Sequence, residues 1–287
     1  MITLSRTLGA ITMAALLSAC GGGGGGGPRT EFNYQPFDSR VAGQSRIAAV
    51  GLVQDEGSGI PTSTRSVLGT LDRGQTSTLS INGVIVNGVE VSEQVWSDGN
   101  GNRVDLNNTL FRELDLQFSI PVDVSFASGL SGQHMVGVVS RSEDLPNGSA
   151  VYFGAADIDA ILRPTIDSEE QFMNSSGSLT LTARFGTDHV DATITGLVGM
   201  PFTSIELRNL EISSGSDALF GWDAGSTIVF LNDGGTVTPL IGSDPNYAAS
   251  GAFFGGDGNG PVEAGGVFAV DGEDGNIWGI FSANNRR

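Results

Sequence analysis

The sequence predicts an all-β protein: a C-terminal eight-stranded antiparallel β-barrel preceded by a smaller β-rich region. Three observations carry this. The tail, 251–283, holds three short apolar runs at 251–254, 265–270 and 277–283, rich in Phe, Val, Ile and Trp and separated by loops of Gly, Asp, Asn and Pro, the signature of an antiparallel meander. Upstream, 178–195 alternates apolar and polar residues with period two, as strands do. The chain also carries 43 glycines among 287 residues, which suits many tight turns, and between 34 and 131 no stretch of helical period has useful length.

At the N-terminus, Arg6 precedes an apolar run over 8–17 that is too short to span a bilayer as a mature helix, so 1–19 reads as an export signal. Leu17-Ser18-Ala19-Cys20 resembles the lipobox of bacterial lipoproteins, which implies cleavage before Cys20 and lipidation of that cysteine. The other reading is an ordinary secretory signal with a spare thiol. Cys20 is the single cysteine, so neither a disulfide nor a cysteine metal cluster is available. Gly21 follows it where an inner-membrane retention signal has Asp, so the resemblance implies an outer-membrane destination. Seven glycines at 21–27 and Pro28 then make 20–33 a flexible tether. Acidic residues number 32 against 14 basic ones, all of them Arg, and a net charge of −18 repels phosphate backbones, which excludes general nucleic-acid binding.

The region 34–133 is expected to form a β-rich domain of its own. An apolar strand covers 47–53; in 75–95, Leu79, Ile81, Ile85, Val89 and Val91 share one parity around Asn82-Gly83 and Asn87-Gly88, of which one is a hairpin turn and the other a bulge. Over 110–120 alternation predicts a half-buried strand ended by Pro121. Asp98, Asn100 and Asn102 have the spacing of oxygen ligands in a calcium loop, but Arg103 and Thr109 stand where such a loop needs Gly and Glu, so a solvated turn is the better reading.

The barrel is expected over 134–287, with eight or nine strands, near 135–141, 150–161, 178–185, 189–196, 204–213 and 227–231 ahead of the three in the tail, and a polar connection at 167–176. Side chains fill a barrel of this size, with Phe253 or Phe254, Phe268, Trp278 and Phe281 as inward aromatics. In the hairpin 178–195, apolar must face apolar, so Arg184 lies opposite either His189 or Asp191. Arg184, His189 and Asp191 then share one face, open to a metal, anion or catalytic reading or to a plain solvated exterior. Asp157 and Asp159 share a face as a carboxylate pair or as exposed like charges. The two histidines, His134 and His189, lie outside any nucleophile motif and fall short of a zinc ligand set. The expectation is a non-enzyme without a cofactor.

The tail also carries a family resemblance. Gly251, Phe253, Phe254, Gly255, Glu263, Gly265, Gly266 and Phe268, followed by Trp278, Gly279, Phe281, Ala283 and the basic end Arg286-Arg287, resemble the closing strands of the transferrin-binding protein B-like β-barrel. Pro146, Gly148, Ala150, Tyr152 and Gly154 resemble an early strand of it. The resemblance covers roughly the last half of the chain, whose length leaves room for one lobe, a handle-like domain plus barrel. It implies a surface-exposed lipoprotein that captures an iron-carrying protein, haem or another ligand through loops at the barrel rim and on the handle; Asp98, Asp257 and Glu273 are candidate contacts. Two other functions remain at this point: an adhesive or structural surface protein with no small-molecule site, and a hydrolase acting through Arg184, His189 and Asp191.

Overall fold

The computed structural model describes residues 34, 47–55, 61–67, 77–81, 84–92, 95–105, 114–163, 169–239 and 241–285. Cys20, the glycine run and Arg286-Arg287 lie outside the described residues. Two antiparallel sheets account for the strands. The first comprises β1 (Ile47–Asp55), β2 (Pro61–Val67), β3 (Ser77–Ile81), β4 (Val84–Ser92), β5 (Val95–Ser97), β6 (Arg103–Asp105), β7 (Ser119–Ser125) and β8 (Leu130–Val138), in the order β2-β1-β8-β7-β6-β5-β4-β3. The second holds β9 (Ser149–Leu162), β10 (Gln171–Arg184), β11 (His189–Thr195), β12 (Ser204–Ile212), β13 (Leu219–Gly221), β14 (Thr227–Asn232), β15 (Gly235–Val237), β16 (Asn246–Phe254), β17 (Glu263–Gly272) and β18 (Gly275–Asn284).

The expected barrel is present. Its order β11-β10-β9-β18-β17-β16-β13-β12 is closed by pairing of β11 with β12, giving a ring of eight strands. Several sequence expectations need correction. The stretch 135–138 belongs to the first sheet, where β8 lies between β1 and β7, so the barrel wall begins at Ser149. β14 pairs only with β12 and β15 and so hangs outside the ring; the missing wall strand is β13, three residues long, which bridges β12 and β16. β10 starts at Gln171, inside the tract expected to be a polar connection. Pro121 lies within β7 instead of ending a strand: β6 pairs only with Asp123 to Ser125, which leaves Pro121 beyond its reach, and a missing N–H is tolerated there. In the first sheet Ile81 pairs with Val84 across Asn82-Gly83, whereas Asn87-Gly88 lies inside β4 opposite Ser77 and Thr78; the irregularity comes later, between Glu90 and Ser92.

The alternation of 178–195 is realised in full. Arg184 pairs with His189, and Leu179, Leu181, Ala183, Val190, Ala192 and Ile194 are buried inside the barrel. Phe253 sits at the centre of the filling, 6.0 Å from Tyr152, 5.3 Å from Phe185 and 5.2 Å from Phe220 between ring centroids, with Phe268 and Phe281 in the same core. Trp278 and Phe254 have the opposite parity and face outward, which corrects the expectation for Trp278. They meet a second core shared with the first sheet, made by Val50, Leu52, Met135 and Phe118 against Ala252, Val267 and Ile280. β16 to β18 are thus sandwiched, apolar inward and apolar outward, and the paired glycines serve this crowding. A Cβ on Gly266 would lie 2.5 Å from the Ser250 carbonyl oxygen and 2.9 Å from the Phe281 ring.

Candidate functional site

The barrel has two ends, and the chain treats them differently. At the end where β9 begins and β18 finishes, Tyr34 docks on the segment joining the two sheets. Its hydroxyl donates to Asp144 Oδ2 and accepts from the Arg141 backbone N at 3.0 Å. Arg141 clasps the same carboxylate, Nε to Oδ2 2.9 Å and Nη2 to Oδ1 3.1 Å. Burial, then the Asp144 carboxylate, pushes the Tyr34 phenol up to about 12. The Tyr34 ring also covers Gly256, where a Cβ would approach it to 2.8 Å. Asp257 is next in that loop, exposed, with Oδ1 accepting from Asn259 N at 3.0 Å.

Also at this end, β12 bulges: Val190 faces Leu210 but Ala192 faces Leu207. Asp191 fills the gap, accepting from Asn209 N at 2.8 Å while its other oxygen pairs with Arg184 at 2.5 Å. Asn209 holds φ 55° there. His189 Nδ1 is turned to the Thr187 carbonyl. So Arg184, His189 and Asp191 do share one face, but Asp191 engages Arg184 and backbone instead of orienting His189. A nucleophile-activating relay is not assembled. The shallow groove beside them, about 290 Å³, is also lined by Glu206 and Arg208, themselves paired.

Asp98 lies on the first sheet, between β5 and β6. Its carboxylate closes an Asx turn, Oδ1 accepting from Asn100 N at 2.8 Å and Asn102 N at 3.1 Å, and Oδ2 from Asn102 Nδ2 at 2.6 Å. The Asn102 side chain, first, and these amides hold it below the usual carboxylate range. Among the described residues no group of three or more His, Cys, Asp or Glu could hold a metal ion.

The opposite end, where β9 finishes and β10 starts, carries features the sequence reading missed. Phe172 is 65% and Val198 79% exposed. Val198 N donates to Ser175 Oγ at 2.8 Å, which ties its loop to β10 near Phe172. Around them Arg163 reaches Glu170 at 3.2 Å and Asp274 at 3.3 Å, next to the exposed Glu273. Trp222 and Tyr247 stack at 5.2 Å and 12° at the same end, where the β14–β15 hairpin leaves the wall. Phe172 escaped notice because polar neighbours surround it in sequence; a lone Phe in a tract of Ser, Asn, Glu and Gln was the available signal.

No protein-family model and no curated protein matches this chain. Among solved structures, its fold is similar to isotype 1 transferrin binding protein B from serogroup B Neisseria meningitidis, with a TM-score of 0.48, 15% identity, and coverage of 84% of this chain and 44% of that one. It is similar to a mutant of transferrin binding protein B from Haemophilus parasuis Hp5 with a TM-score of 0.48, 15% identity, 83% and 45% coverage. A third similarity, with a TM-score of 0.41 and 14% identity, covers 89% of this chain and 91% of HpuA from Kingella denitrificans, solved in complex with human haemoglobin. The chain spans less than half the length of the two transferrin binding proteins.

Proposed function

We propose that this protein is an outer-membrane lipoprotein, anchored through Cys20 and exposed at the cell surface, that binds a protein partner with the barrel end bearing Phe172, Val198 and Glu273. The observation that carries this reading is the filled barrel. Tyr152, Phe220, Phe253, Phe268 and Phe281 are all fully buried within it, so recognition falls to the outer surface and the loops. Exposed large apolar side chains are common singly, but Phe172 on the outer face of β10 and Val198 on a loop bonded to β10 at Ser175 stand at the same end of the barrel as the Arg163 ion pairs, and an end so furnished suits a protein contact.

The tether supports the same choice of end. From Cys20 to Tyr34 a flexible chain reaches roughly 20 Å, and Tyr34 is fastened at the Asp144 end. A triacylated cysteine holds that end near the lipid, and the Phe172 end is then free to meet a partner. Asp257, on the tether side, and Asp98, on the first sheet, become the weaker contact candidates. The motif resemblance of the closing strands makes iron-carrying proteins the first class to test, with haem as the small-ligand counterpart.

The experiment is a pulldown of the full chain against transferrin and haemoglobin, with an absorbance scan for haem, alongside Phe172→Ser and Val198→Ser. Retention of one of these partners that falls at least tenfold in the two variants is the expected outcome. Retention of none, with the protein still reachable by protease on intact cells, favours the adhesive or structural role. Palmitate labelling lost in Cys20→Ser tests the anchor separately.

A further inference from the structure

β9 and β10 each run 14 residues, but β11 runs 7 and pairs only with Ser178 to Arg184 of β10. The rest of β10, Gln171 to Gly177, is laddered to β9 on one side alone. The loop after β11 does not extend the ladder: Leu197 N donates to Thr203 O at 3.1 Å, and Val198 N to the Ser175 hydroxyl at 2.8 Å. That loop borders Gly177, where a Cβ would lie 2.7 Å from the Thr195 carbonyl oxygen and 3.0 Å from Leu197. Among the described residues, Gln171 to Asn174 then have no strand beside them on that side.

Register decides which backbone groups face this gap. Phe185 N donates to Gly148 O at 2.8 Å, one step beyond the pair Arg184 and Ser149. Counting back through the unbroken β9–β10 register, odd-numbered residues of β10 bond to β9 and even-numbered ones turn their N–H and C=O away from it. From Ser178 to Arg184 those even-numbered groups meet β11; at Phe172 and Asn174 they meet no strand. Edges are ordinarily guarded by charge, proline, a bulge or brevity. β15, at 3 residues, is guarded by brevity. Gln171-Phe172-Met173-Asn174 has no charge, no proline and no register shift, and it holds Phe172 65% exposed on its outer face.

We propose, resting on the reading of the Phe172 end as the contact surface, that this open edge of β10 receives an extended basic segment of the partner protein as an added strand. Main-chain bonds to Phe172 and Asn174 supply affinity, and alternate side chains supply selectivity. Phe172 and Asn174 share the outer face, so two partner side chains lie beside them. The one next to Phe172 is apolar. The one next to Asn174 is a lysine or arginine, because Asn174 Nδ2 holds Asp157 at 3.2 Å and Asp159 at 2.9 Å and no base among the described residues pairs with either carboxylate. Glu169 and Glu170, exposed where β10 begins, favour the same sign; Arg163 is engaged by Glu170 and Asp274. A second copy of this chain is the wrong occupant, since two chains of net charge −18 repel.

The test reads amide hydrogen exchange residue by residue, by NMR, on the full chain. Without ligand, exchange is expected to be fast at Phe172 and Asn174 and slow at Met173, Thr180 and Thr182, whose N–H groups face β9 or β11. The probe is then a blocked peptide that alternates threonine with valine and lysine in turn. It should slow exchange at Phe172 and Asn174 by about tenfold, and less in Phe172→Ser; the same peptide with glutamate for lysine should leave both amides fast. Slow exchange at Phe172 and Asn174 in the free chain, no slowing by the lysine peptide, or equal slowing by the glutamate peptide overturns strand addition. The surface reading has its own pulldown. A carrier retained by the parent and lost in Phe172→Ser, with these amides still fast under the lysine peptide, upholds that reading and sinks strand addition; protection by the peptide with no carrier retained does the reverse.

Discussion

β10 and β17 are walls of the same barrel, yet they are written in different alphabets. In β10, Leu179, Leu181 and Ala183 are buried while Ser178, Thr180 and Arg184 are exposed. In β17 every residue from Glu263 to Val270 is buried, because the first sheet covers the outer face that water covers on β10. A strand against water declares its inward face by alternation; a strand between two cores reads as a continuous apolar run and declares only that it is a strand. This is why the register of the β10–β11 hairpin could be narrowed to two choices from sequence, while Trp278 was assigned to the wrong side of its wall.

The largest expected effect lies at Glu263, the one charge in the fully buried run 263–270 of β17. Replacing Glu263 by Ala leaves the Gln117 and Phe118 amides and the Ser119 hydroxyl without their acceptor inside the seam between the two sheets. A loss of about 3–5 kcal/mol is expected, measured by denaturant unfolding, with hydrogen exchange at Phe118 and in β7 rising first. A cost no greater than that of a surface substitution would mean that the seam is not dry, and the contrast between the two walls would fail.

Next comes His134, fully buried in the first sheet, with neither ring nitrogen hydrogen-bonded to a side chain or carbonyl in good geometry. Burial depresses it from 6.5 to about 3. The unfolded chain therefore takes up a proton at this site before the folded one does. The site's contribution is complete above about pH 6.5, declines as pH falls, and is gone below about pH 3. It is on the order of 4–5 kcal/mol. Comparing His134→Leu with the parent between those limits isolates it, since the variant should lose that share of the acid slope. Burial raises the Asp123 and Asp159 carboxyls above the ordinary aspartate range, and they act in the opposite direction, so the parent's own pH curve is shallower than His134 alone would make it.

Glycines sharpen the comparison. Gly266→Ala sets a methyl against the Ser250 carbonyl oxygen and the Gly251 Cα at 2.5 and 2.8 Å, backbone atoms that no rotamer change can move. A cost of about 2 kcal/mol is expected. Gly186→Ala, in the turn of the solvent-facing hairpin, meets nothing within 4 Å and should change the thermal midpoint little, about 0.5 kcal/mol or less. Equal midpoints for the two variants would show that the covered wall yields as readily as the open one.

What could be read ahead of the structure follows the same division. The closing strands and the β10–β11 hairpin were legible because their partners are neighbours in sequence. β13 was not: three residues, Leu219 to Gly221, have no pattern of their own and become a wall strand only because β12 and β16 arrive on either side. Nor could β14 be told from a wall strand, since its apolar run is real and only its pairing with β15, which joins no other strand, puts it outside the ring. Glu263 stood out as part of a motif, but its role depends on Gln117 to Ser119, about 145 residues earlier. The placing of Val198 depends on Ser175 of β10 accepting from its backbone N–H, a side-chain bond with no trace in periodicity.

The smallest expected effect tests the open wall's own charges. Arg184 is 47% exposed and its partner Asp191 23%, so their attraction is screened and worth little, under about 1 kcal/mol. The second task of Asp191 is to cap the Asn209 amide where β12 bulges, and an amide oxygen can do that as well as a carboxylate. Asp191→Asn should therefore cost less than Asp191→Ala, with Arg184→Ala nearly silent. If removing Arg184 instead destabilised the protein as much as removing the Asp191 carboxylate, the pair would be acting as a buried one. The exterior of β10 and β11 would then need a covering that the described residues do not provide.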